Sequence, residues 1–208
     1  MPIQNISPTR SNLIQTRQTL ELAREGHDIL DQKREVLTGE LVQRAHDAVA
    51  LQETVWERLR AAYRALDRAR LSMGREHLEW TALAVNTTIE VDITMYSVMG
   101  VVLPTVEAHG SPPEMPYGPG DTTVSLDEAV AQFNAVLDAV PALAQKVTSI
   151  WRLAHELQKT QRRVNALEHI FIPTYEDTVG YIESTLEERE REETFRLKRL
   201  KGRGTRAK

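Results

Sequence analysis

Apolar side chains recur every three or four residues in two long stretches of the chain. The first stretch starts at Leu13 and the second at Val130, and the intervening positions of the first are mostly Glu, Gln, Arg and Asp. Spacing that averages about 3.5 residues keeps apolar side chains on one narrow face of a helix. The pattern therefore predicts a first long helix over about residues 8–75 and a second over about 125–201.

Local signals mark where the two helices should begin. Ser7 can accept a hydrogen bond from an orphan amide, and Pro8 suits the first helical position because it has no N–H to leave unpaired. Ser125 is followed three residues later by Glu128, which matches a capping box. We therefore expect Ser7 and Ser125 to start the two helices.

Two prolines interrupt the second apolar stretch. Pro141 and Pro173 each lack an N–H, and the proline ring clashes with the preceding helical turn. Each should bend the helix or restart it. We expect a kinked second helix with a break at Pro141.

Between the two stretches the period of the pattern falls to two. Residues 85–93 alternate β-branched with polar side chains, which predicts a strand. Residues 97–106 (SVMGVVLPTV) predict a second strand, with a bulge at Gly100. Residues 110–120 (GSPPEMPYGPG) have the composition of a loop. We expect residues of about 76–124 to form a small hairpin or an irregular knob.

Two apolar stretches of similar length, joined by a segment long enough to reverse the chain, predict antiparallel pairing of the helices. The expected fold is all-α: a long antiparallel two-helix coiled coil with a small β-hairpin or irregular knob at the turn. Residues 1–208 are expected to form one elongated domain, with a basic tail at 202–208. Because both helices advance by one rise per residue, paired positions should have residue numbers that add up to roughly 200.

The composition favours a thin helical seam over a thick core. Of the 208 residues, 41% are hydrophobic but only 5% are aromatic, and none is Cys. Aromatic side chains are the usual large fillers of globular cores. The absence of Cys excludes disulfides, thiolate metal sites and cysteine nucleophiles. The most apolar stretch, residues 91–106, is shorter than the roughly 20 residues that a membrane-spanning helix needs, so direct membrane insertion is not expected.

The formal net charge of −4 is unevenly distributed. No Lys or Arg occurs between Glu76 and Gln145, and this stretch contains ten acidic residues. From Thr194 onward the chain has seven basic residues and no acidic one. Such a tail is either an arm for nucleic acid or a solvated helix end whose cations complement the helix dipole. We prefer the second interpretation because the whole chain is acidic and has no groove-reading motif.

Motifs that would indicate an enzyme are absent from the sequence. The chain has neither the G-x-x-x-x-G-K-[ST] phosphate loop nor the G-x-S-x-G nucleophile motif. His155 and Glu156 begin like a zinc-binding helix, but Lys159 occupies the position of the second His. The six His residues are too far apart in sequence for a local metal cluster. We expect no catalytic residue, no metal and no cofactor.

Two basic pairs, Lys33-Arg34 in the first helix and Arg162-Arg163 in the second, are candidate contacts for a partner. Neighbouring residues on a helix are about 100° apart, so one member of a pair can flank the seam while the other faces a partner. The alternative is ordinary solvated helix surface. Together with two knob carboxylates and the tail, the candidate interface residues are Lys33, Arg34, Glu90, Asp92, Arg162, Arg163, Phe195, Arg196, Lys198, Arg199 and Leu200.

Several segments that together span nearly the whole chain carry a family resemblance. They are Ser7-Pro8-Thr9-Arg10, Leu22-Ala23, Gly26-His27, Lys33-Arg34, Met99-Gly100-Val101 with Pro104, TQRRVNALEHIFIP at 160–173 and LEEREREETFRLKRLK at 186–201. These segments resemble the D-subunit of the V/A-type rotary ATPases, and the short tail is similar to the prokaryotic branch. Asp31 stands where this family usually has Lys, and Gly180 is unusual inside its C-terminal helix.

The resemblance implies a non-catalytic rotor shaft that mechanically couples ATP hydrolysis or synthesis in a catalytic hexamer to rotation of a membrane ring. It implies that both termini enter the pore of the hexamer and that the middle of the chain points toward the membrane. The implied partners are the catalytic and non-catalytic hexamer subunits, the small F-subunit and a funnel-shaped subunit on the proteolipid ring. The implied location is the cytoplasmic side of the cell membrane, as part of the complex.

Two other classes of protein share some of these features. The apolar stretches and the knob alone would equally suit a coiled-coil adaptor or the stalk of an export apparatus. The basic tail alone would suit a nucleic-acid-binding protein, which is the weaker alternative because the rest of the chain is acidic.

Overall fold

The computed structural model describes residues 6–84, 89–110, 117, 118, 120 and 122–204. Within these residues the elements are α1 (Arg10–Met73), α2 (Arg75–Ala84), β1 (Glu90–Val98), β2 (Val101–His109), α3 (Val124–Leu137), α4 (Val140–Ala166), a π-helix (Leu167–Phe171) and α5 (Ile172–Gly204). The first part of the expected strand at 85–93, most of the expected loop at 110–120 and the last four residues of the basic tail lie outside the described residues. The predicted pair of long helical runs, with a hairpin between them, is confirmed.

The first helix begins two residues later than the Ser-Pro signal suggested. The Thr9 hydroxyl accepts a hydrogen bond from the Asn12 N–H at 3.3 Å, so Thr9 takes the capping role assigned to Ser7. The Ser7 carbonyl instead accepts a hydrogen bond from the Asn12 side-chain amide at 2.8 Å. At the other end, α1 stops before Gly74, whose φ of 81° is a left-handed conformation that suits glycine.

Helix α2 was not predicted, because residues 76–84 were expected to belong to the strand-bearing knob. The segment REHLEWTALA is helical from Arg75 to Ala84. Its Ala, Leu and Glu residues are strong helix formers, and ten residues are too few to establish a clear apolar period.

The hairpin is regular, and its turn differs from the prediction. Strands β1 and β2 pair antiparallel over nine residues each, from Glu90 opposite His109 to Val98 opposite Val101. Met99 and Gly100 form the connection, with φ values of 50° and 81°. Two consecutive positive φ values give the two-residue turn that matches the twist of paired strands. Gly100 is therefore a turn residue and not a bulge, and the second strand begins after it.

The second helical run is interrupted near both prolines, as predicted. It breaks between α3 and α4 at residues 138–139, so Pro141 lies in the first turn of α4, where its missing N–H costs nothing. Before Pro173 the chain forms the π-helix, in which the Ile172 N–H reaches back to the Leu167 carbonyl.

The start of the second run differs from the expected capping box. The residue before α3 is Thr123, whose backbone is extended and whose side chain makes no capping hydrogen bond. Ser125 lies inside the first turn of α3. The Thr123 hydroxyl oxygen is buried and has no hydrogen-bond partner among the described residues.

The chain divides into two compact units. The first contains the residues up to Val36 together with those from Gln158 onward, and the second contains Leu37–Leu157. In the first unit α1 and α5 are antiparallel and joined by three ion pairs, Arg10–Glu190, Arg17–Glu183 and Arg24–Glu176. The residue numbers of each pair add up to 200, which agrees with the predicted register.

The second unit is also antiparallel, with a different register. Arg68 pairs with Glu128 at 2.6 Å, Asp47 pairs with Lys146 at 3.3 Å, and Arg58 donates to the Ala135 carbonyl at 3.3 Å. These residue numbers add up to 196, 193 and 193, below the predicted value. Small side chains dominate the seam of this unit, with Ala62, Ala65 and Ala69 fully buried. Among the described residues the buried core contains no Phe, Trp or Tyr, as the aromatic content suggested.

Candidate interaction surfaces

The hairpin is fixed to the helices of the second unit by an apolar core. Leu103 and Val101 of β2 pack with Leu37 of α1 and Leu153 of α4, and Leu37, Leu103 and Leu153 are fully buried. Residues far apart in sequence thus meet in one cluster. Full burial of an aliphatic side chain stabilises a fold by roughly 1.5–3 kcal/mol, so the hairpin is held firmly against the helices.

Polar contacts add to this attachment. Arg44 of α1 donates to the Tyr96 hydroxyl of β1 at 2.9 Å and pairs with Glu40 one turn earlier at 3.1 Å. Burial of the Arg44 guanidinium acts against its charged form, but the hydrogen bonds to Tyr96 and Glu40 outweigh burial and raise the pKa of Arg44. Arg44 is not among the residues predicted from the sequence, because a contact across more than 50 residues leaves no local pattern.

The two candidate carboxylates of the knob lie on β1. Glu90 and Asp92 are both exposed, and their cross-strand partners are His109 and Glu107. The Asp92 carboxylate lies 3.5 Å from the His109 imidazole. The arrangement is open to solvent, so it can attract a charged partner but does not form an enclosed chemical site.

The candidate basic pairs both lie in the first unit, in different surroundings. Arg34 is partly buried and pairs with Asp31, one turn earlier on α1, at 2.6 Å. Lys33 is also partly buried. Arg162 and Arg163 are exposed on α4, and neither forms an ion pair with another described residue.

The tail continues as helix beyond its partner. Glu190 pairs with Arg10 at the start of α1, and α5 extends from there to Gly204. Phe195 and Leu200 are 73% and 66% exposed, and the other tail candidates, Arg196, Lys198 and Arg199, are exposed as well. Among these candidates, Arg196 pairs with Glu192 one turn earlier at 3.6 Å. The tail therefore presents apolar and cationic side chains to solvent.

The exposed face of α1 carries a second apolar pattern that the sequence analysis did not use. Within each unit, large apolar residues recur there every seven residues, and each is at least 46% exposed: Leu22, Ile29 and Val36 in the first unit, and Val42, Val49 and Trp56 in the second. A seven-residue repeat keeps side chains on one line of a helix. In the sequence this line is hidden by the stronger stripe that forms the seam.

A groove in the second unit also escaped the sequence analysis. It encloses about 400 Å³ and is lined mainly by apolar residues, among them Leu66, Leu78, Ala82, Leu126, Val130 and Phe133. At its rim the Tyr117 hydroxyl donates to the Asp127 carboxylate at 2.5 Å. Burial, the hydrogen bond and the negative charge of Asp127 together raise the pKa of Tyr117 to about 12. The groove needs α2, which the sequence pattern did not predict.

In the part of the chain that the structure describes, no group of His, Asp and Glu side chains is arranged to hold a metal ion. None of the described helices combines the length and the apolar content that crossing a membrane requires.

Comparison with known proteins gives a consistent result. The profile of the family described as the ATP synthase D-subunit matches residues 12–202. The V-type ATP synthase D-subunit of Thermotoga neapolitana is 43% identical over 197 residues, which cover 95% of this chain and 97% of that protein. The A-type ATP synthase D-subunit of Methanopyrus kandleri is 38% identical, over 96% of this chain and 87% of that protein. The second V-type ATP synthase D-subunit of Treponema pallidum is 38% identical, over 95% of both.

Proposed function

Because the chain belongs to the family of ATP synthase D-subunits, we propose that it is the central-stalk subunit of a V/A-type rotary ATPase. In this role it couples ATP hydrolysis or synthesis in a catalytic hexamer mechanically to rotation of a membrane ring, and it carries out no chemistry itself. The observation that carries the proposal is the family match over residues 12–202, nearly the whole chain.

The paired helices support a mechanical role. A shaft that transmits torque must resist sliding of one helix along the other. In the first unit three ion pairs at seven-residue intervals join α1 to α5. Exposed ion pairs contribute only about 0.2–1 kcal/mol each, but each one favours the same register. In the second unit the fully buried alanines of the seam let the paired helices pack closely.

We assign the tail of α5 to the hexamer. Phe195 and Leu200 would contact apolar bearing surface inside the hexamer pore, and Arg196, Lys198 and Arg199 would face acidic groups at its rim. The exposure of these side chains supports this assignment, because large apolar groups in solvent are a favourable contact surface. Differential contact of such a surface with successive catalytic subunits would make each adopt a different conformation.

The remaining candidates are assigned to other partners. We assign Lys33, Arg34, Arg162 and Arg163 to subunits that surround or flank the shaft, including the small F-subunit. Glu90 and Asp92 would contribute to the attachment of the knob end to the funnel-shaped subunit on the proteolipid ring. Complementary charge guides association more than it stabilises a fold. In this scheme the protein works at the cytoplasmic side of the cell membrane and is held there by its partners.

The proposal is tested by the composition of the native complex. A tagged full chain, expressed in the cells it comes from, should co-purify with a hexameric ATPase and the F-subunit. Co-purification with an export apparatus, or salt-sensitive retention of nucleic acid without the ATPase, would replace the proposal with one of the two alternative classes.

A truncated chain tests the assignment of the tail. Truncation after Glu192 keeps all three ion pairs between α1 and α5, so helix content should stay close to that of the full chain. Affinity for the hexamer, or the coupling of ATP hydrolysis to rotation, should fall. The matched control replaces Arg196, Lys198 and Arg199 by Gln in the full-length chain, which separates the charges from the apolar side chains. Normal assembly and coupling of the truncated chain would contradict the assignment.

A further inference from the structure

The two edges of the hairpin differ in their hydrogen bonds to the rest of the fold, because side chains of α4 bond to the outer edge of β2. On the outer edge of β2, the Val102 carbonyl accepts a hydrogen bond from Arg152 Nη1 at 2.9 Å. The Val106 N–H donates to Gln145 Oε1 at 3.0 Å. Pro104 lies between them and has no N–H to satisfy. Helix α4 thus covers this edge, and proline suits the one position at its centre.

The pairing pattern shows which groups of β1 point outward. In an antiparallel ladder, opposite residues either exchange both hydrogen bonds or both point away from each other. The backbone N–H and C=O groups of Val102 and Val106 point away from β1. Those of their partners, Ser97 and Ile93, therefore point away from β2. By the same alternation, the backbone N–H and C=O groups on the outer edge of β1 are those of Val91, Ile93, Met95 and Ser97.

This outer edge of β1 is open within the described residues. The sheet has two strands, and none of the described side chains forms a hydrogen bond with these four backbone positions. Strand β1 is nine residues long, and eight of them are exposed. It contains no Pro and no Lys, which proteins commonly use to block an edge strand.

The side chains of β1 define what kind of strand would fit. Val91, Ile93 and Met95 lie on one face and are 49%, 58% and 56% exposed. Glu90 and Asp92 lie on the opposite face, in the long acidic stretch without Lys or Arg. A strand added here would therefore meet apolar side chains on one face and, on the other face, the two carboxylates followed by Thr94 and Tyr96.

We propose that the outer edge of β1 accepts one extended strand of a partner protein, in which apolar residues alternate with Lys or Arg. Main-chain hydrogen bonds to the four outward positions supply affinity, and the alternating side chains supply specificity. A second copy of β1 is a poor occupant, because it would bring further carboxylates to an acidic face. The inference needs only the described hairpin, so it stands whether or not the proposed function is correct.

A synthetic peptide tests the edge directly. The probe is a fluorescent peptide of about eight residues, a usual strand length, with Val at alternate positions and Lys at those facing Glu90 and Asp92. It should bind the full-length chain in an anisotropy titration. Two further peptides carry backbone N-methyl groups on one or the other set of alternate residues. Only methylation of the residues whose N–H groups face β1 should weaken binding, by at least about tenfold. Equal binding of both methylated peptides, or no binding of the parent peptide, would overturn the proposal.

Protein variants test the same edge from the other side. Ile93→Pro removes an outward N–H without touching the β1–β2 ladder, and Ile93→Val is the matched control that keeps both N–H and apolar character. Circular dichroism and amide exchange of β2 establish that the hairpin is retained. The proline variant should bind the peptide at least about tenfold more weakly, and the valine variant should bind as the parent does. Undiminished binding by a folded proline variant would overturn the proposal.

The charge preference has its own control. The double variant Glu90→Lys with Asp92→Lys should bind the Lys-containing peptide more weakly than the parent chain does. It should bind a peptide with Glu at the same positions more tightly. Analytical ultracentrifugation of the full chain without peptide tests for the alternative occupant. Self-association that Ile93→Pro abolishes would identify a second copy as the occupant and overturn the assignment to a cationic partner strand.

Discussion

Reversing the charges that join α1 to α5 tests the register of the first unit. We call the three ion pairs Arg10–Glu190, Arg17–Glu183 and Arg24–Glu176 the arginine ladder. Replacing its three arginines by Glu brings like charges together at every rung. Arg and Glu have similar helix propensities, so the change acts on the contact between the helices more than on α1 itself.

The size of the effect follows from the exposure of the ladder. The paired side chains are between 39% and 81% exposed, so each pair is worth about 0.2–1 kcal/mol. Loss of all three therefore lowers the free energy of unfolding by about 0.6–3 kcal/mol, and like-charge repulsion adds an amount of similar size. At about 1 M NaCl the Debye length is near 3 Å, so most of the difference should disappear.

The assay is urea unfolding of the full chain, followed by far-ultraviolet circular dichroism at low and high salt. Reversing the three glutamates as well, so that each pair is inverted, should restore most of the lost stability. Arg162→Glu with Arg163→Glu is the matched control, because neither arginine pairs with a described residue, and it should change stability by less than about 0.5 kcal/mol. If the inverted ladder stays as unstable as the triple variant, the register of α1 against α5 is wrong.

Three further predictions concern the hairpin, the groove and α5. Leu103→Ala should cost about 2–5 kcal/mol in chemical denaturation because Leu103 is fully buried, whereas Val102→Ala should cost much less; equal costs would contradict the described core. Asp127→Asn should lower the Tyr117 pKa from about 12 in an ultraviolet phenolate titration, and an unchanged pKa would exclude Asp127 as a cause. Since this pKa is raised above its ordinary 10.0, its contribution to stability is complete below pH 10 and is lost as the pH rises toward about 12. Gly180→Ala should raise stability by about 0.5–1 kcal/mol, because an added Cβ meets no atom within 4 Å; a loss of stability would show that this position is strained.

The helices were predictable where a long repeat carried the signal. A period of 3.5 residues maintained over many turns survives local exceptions, so α1 and the second helical run followed from the apolar pattern. Pro141 also marked a break correctly, since the missing N–H and the ring act on the nearest turn alone. Both signals are local, and the sequence displays them directly.

Short elements and helix starts were less predictable. Helix α2 is only ten residues long, so its helix-forming composition competed with the strand pattern that follows it. Thr9 caps α1 in place of Ser7, because several side chains near a helix start can accept an orphan amide hydrogen bond. The hairpin itself was expected, with a bulge at Gly100. In the structure Met99 and Gly100, which both have positive φ, instead form the turn between the two strands.

The candidate interface residues were chosen from the distribution of charge along the sequence, and their exposure became visible only in the structure. The acidic middle and the basic tail are visible in the composition, and the structure places the knob carboxylates and the tail candidates in solvent. The structure also revealed the ion pair between Arg34 and Asp31 and the exposed apolar line on α1. These depend on which face of a helix is covered, and a repeat in the sequence does not state that.

By itself, the sequence determined the two helical runs, the antiparallel pairing and the place where the chain turns, because these depend on periodicity and local backbone chemistry. Tertiary structure alone decided how the hairpin is held and which of its edges is open. Arg152 and Gln145 of α4 cover β2, and no described residue does the same for β1. Apart from proline, every residue presents the same backbone groups on a strand edge, so mainly the packing of distant elements determines whether such an edge is satisfied or left open for another strand.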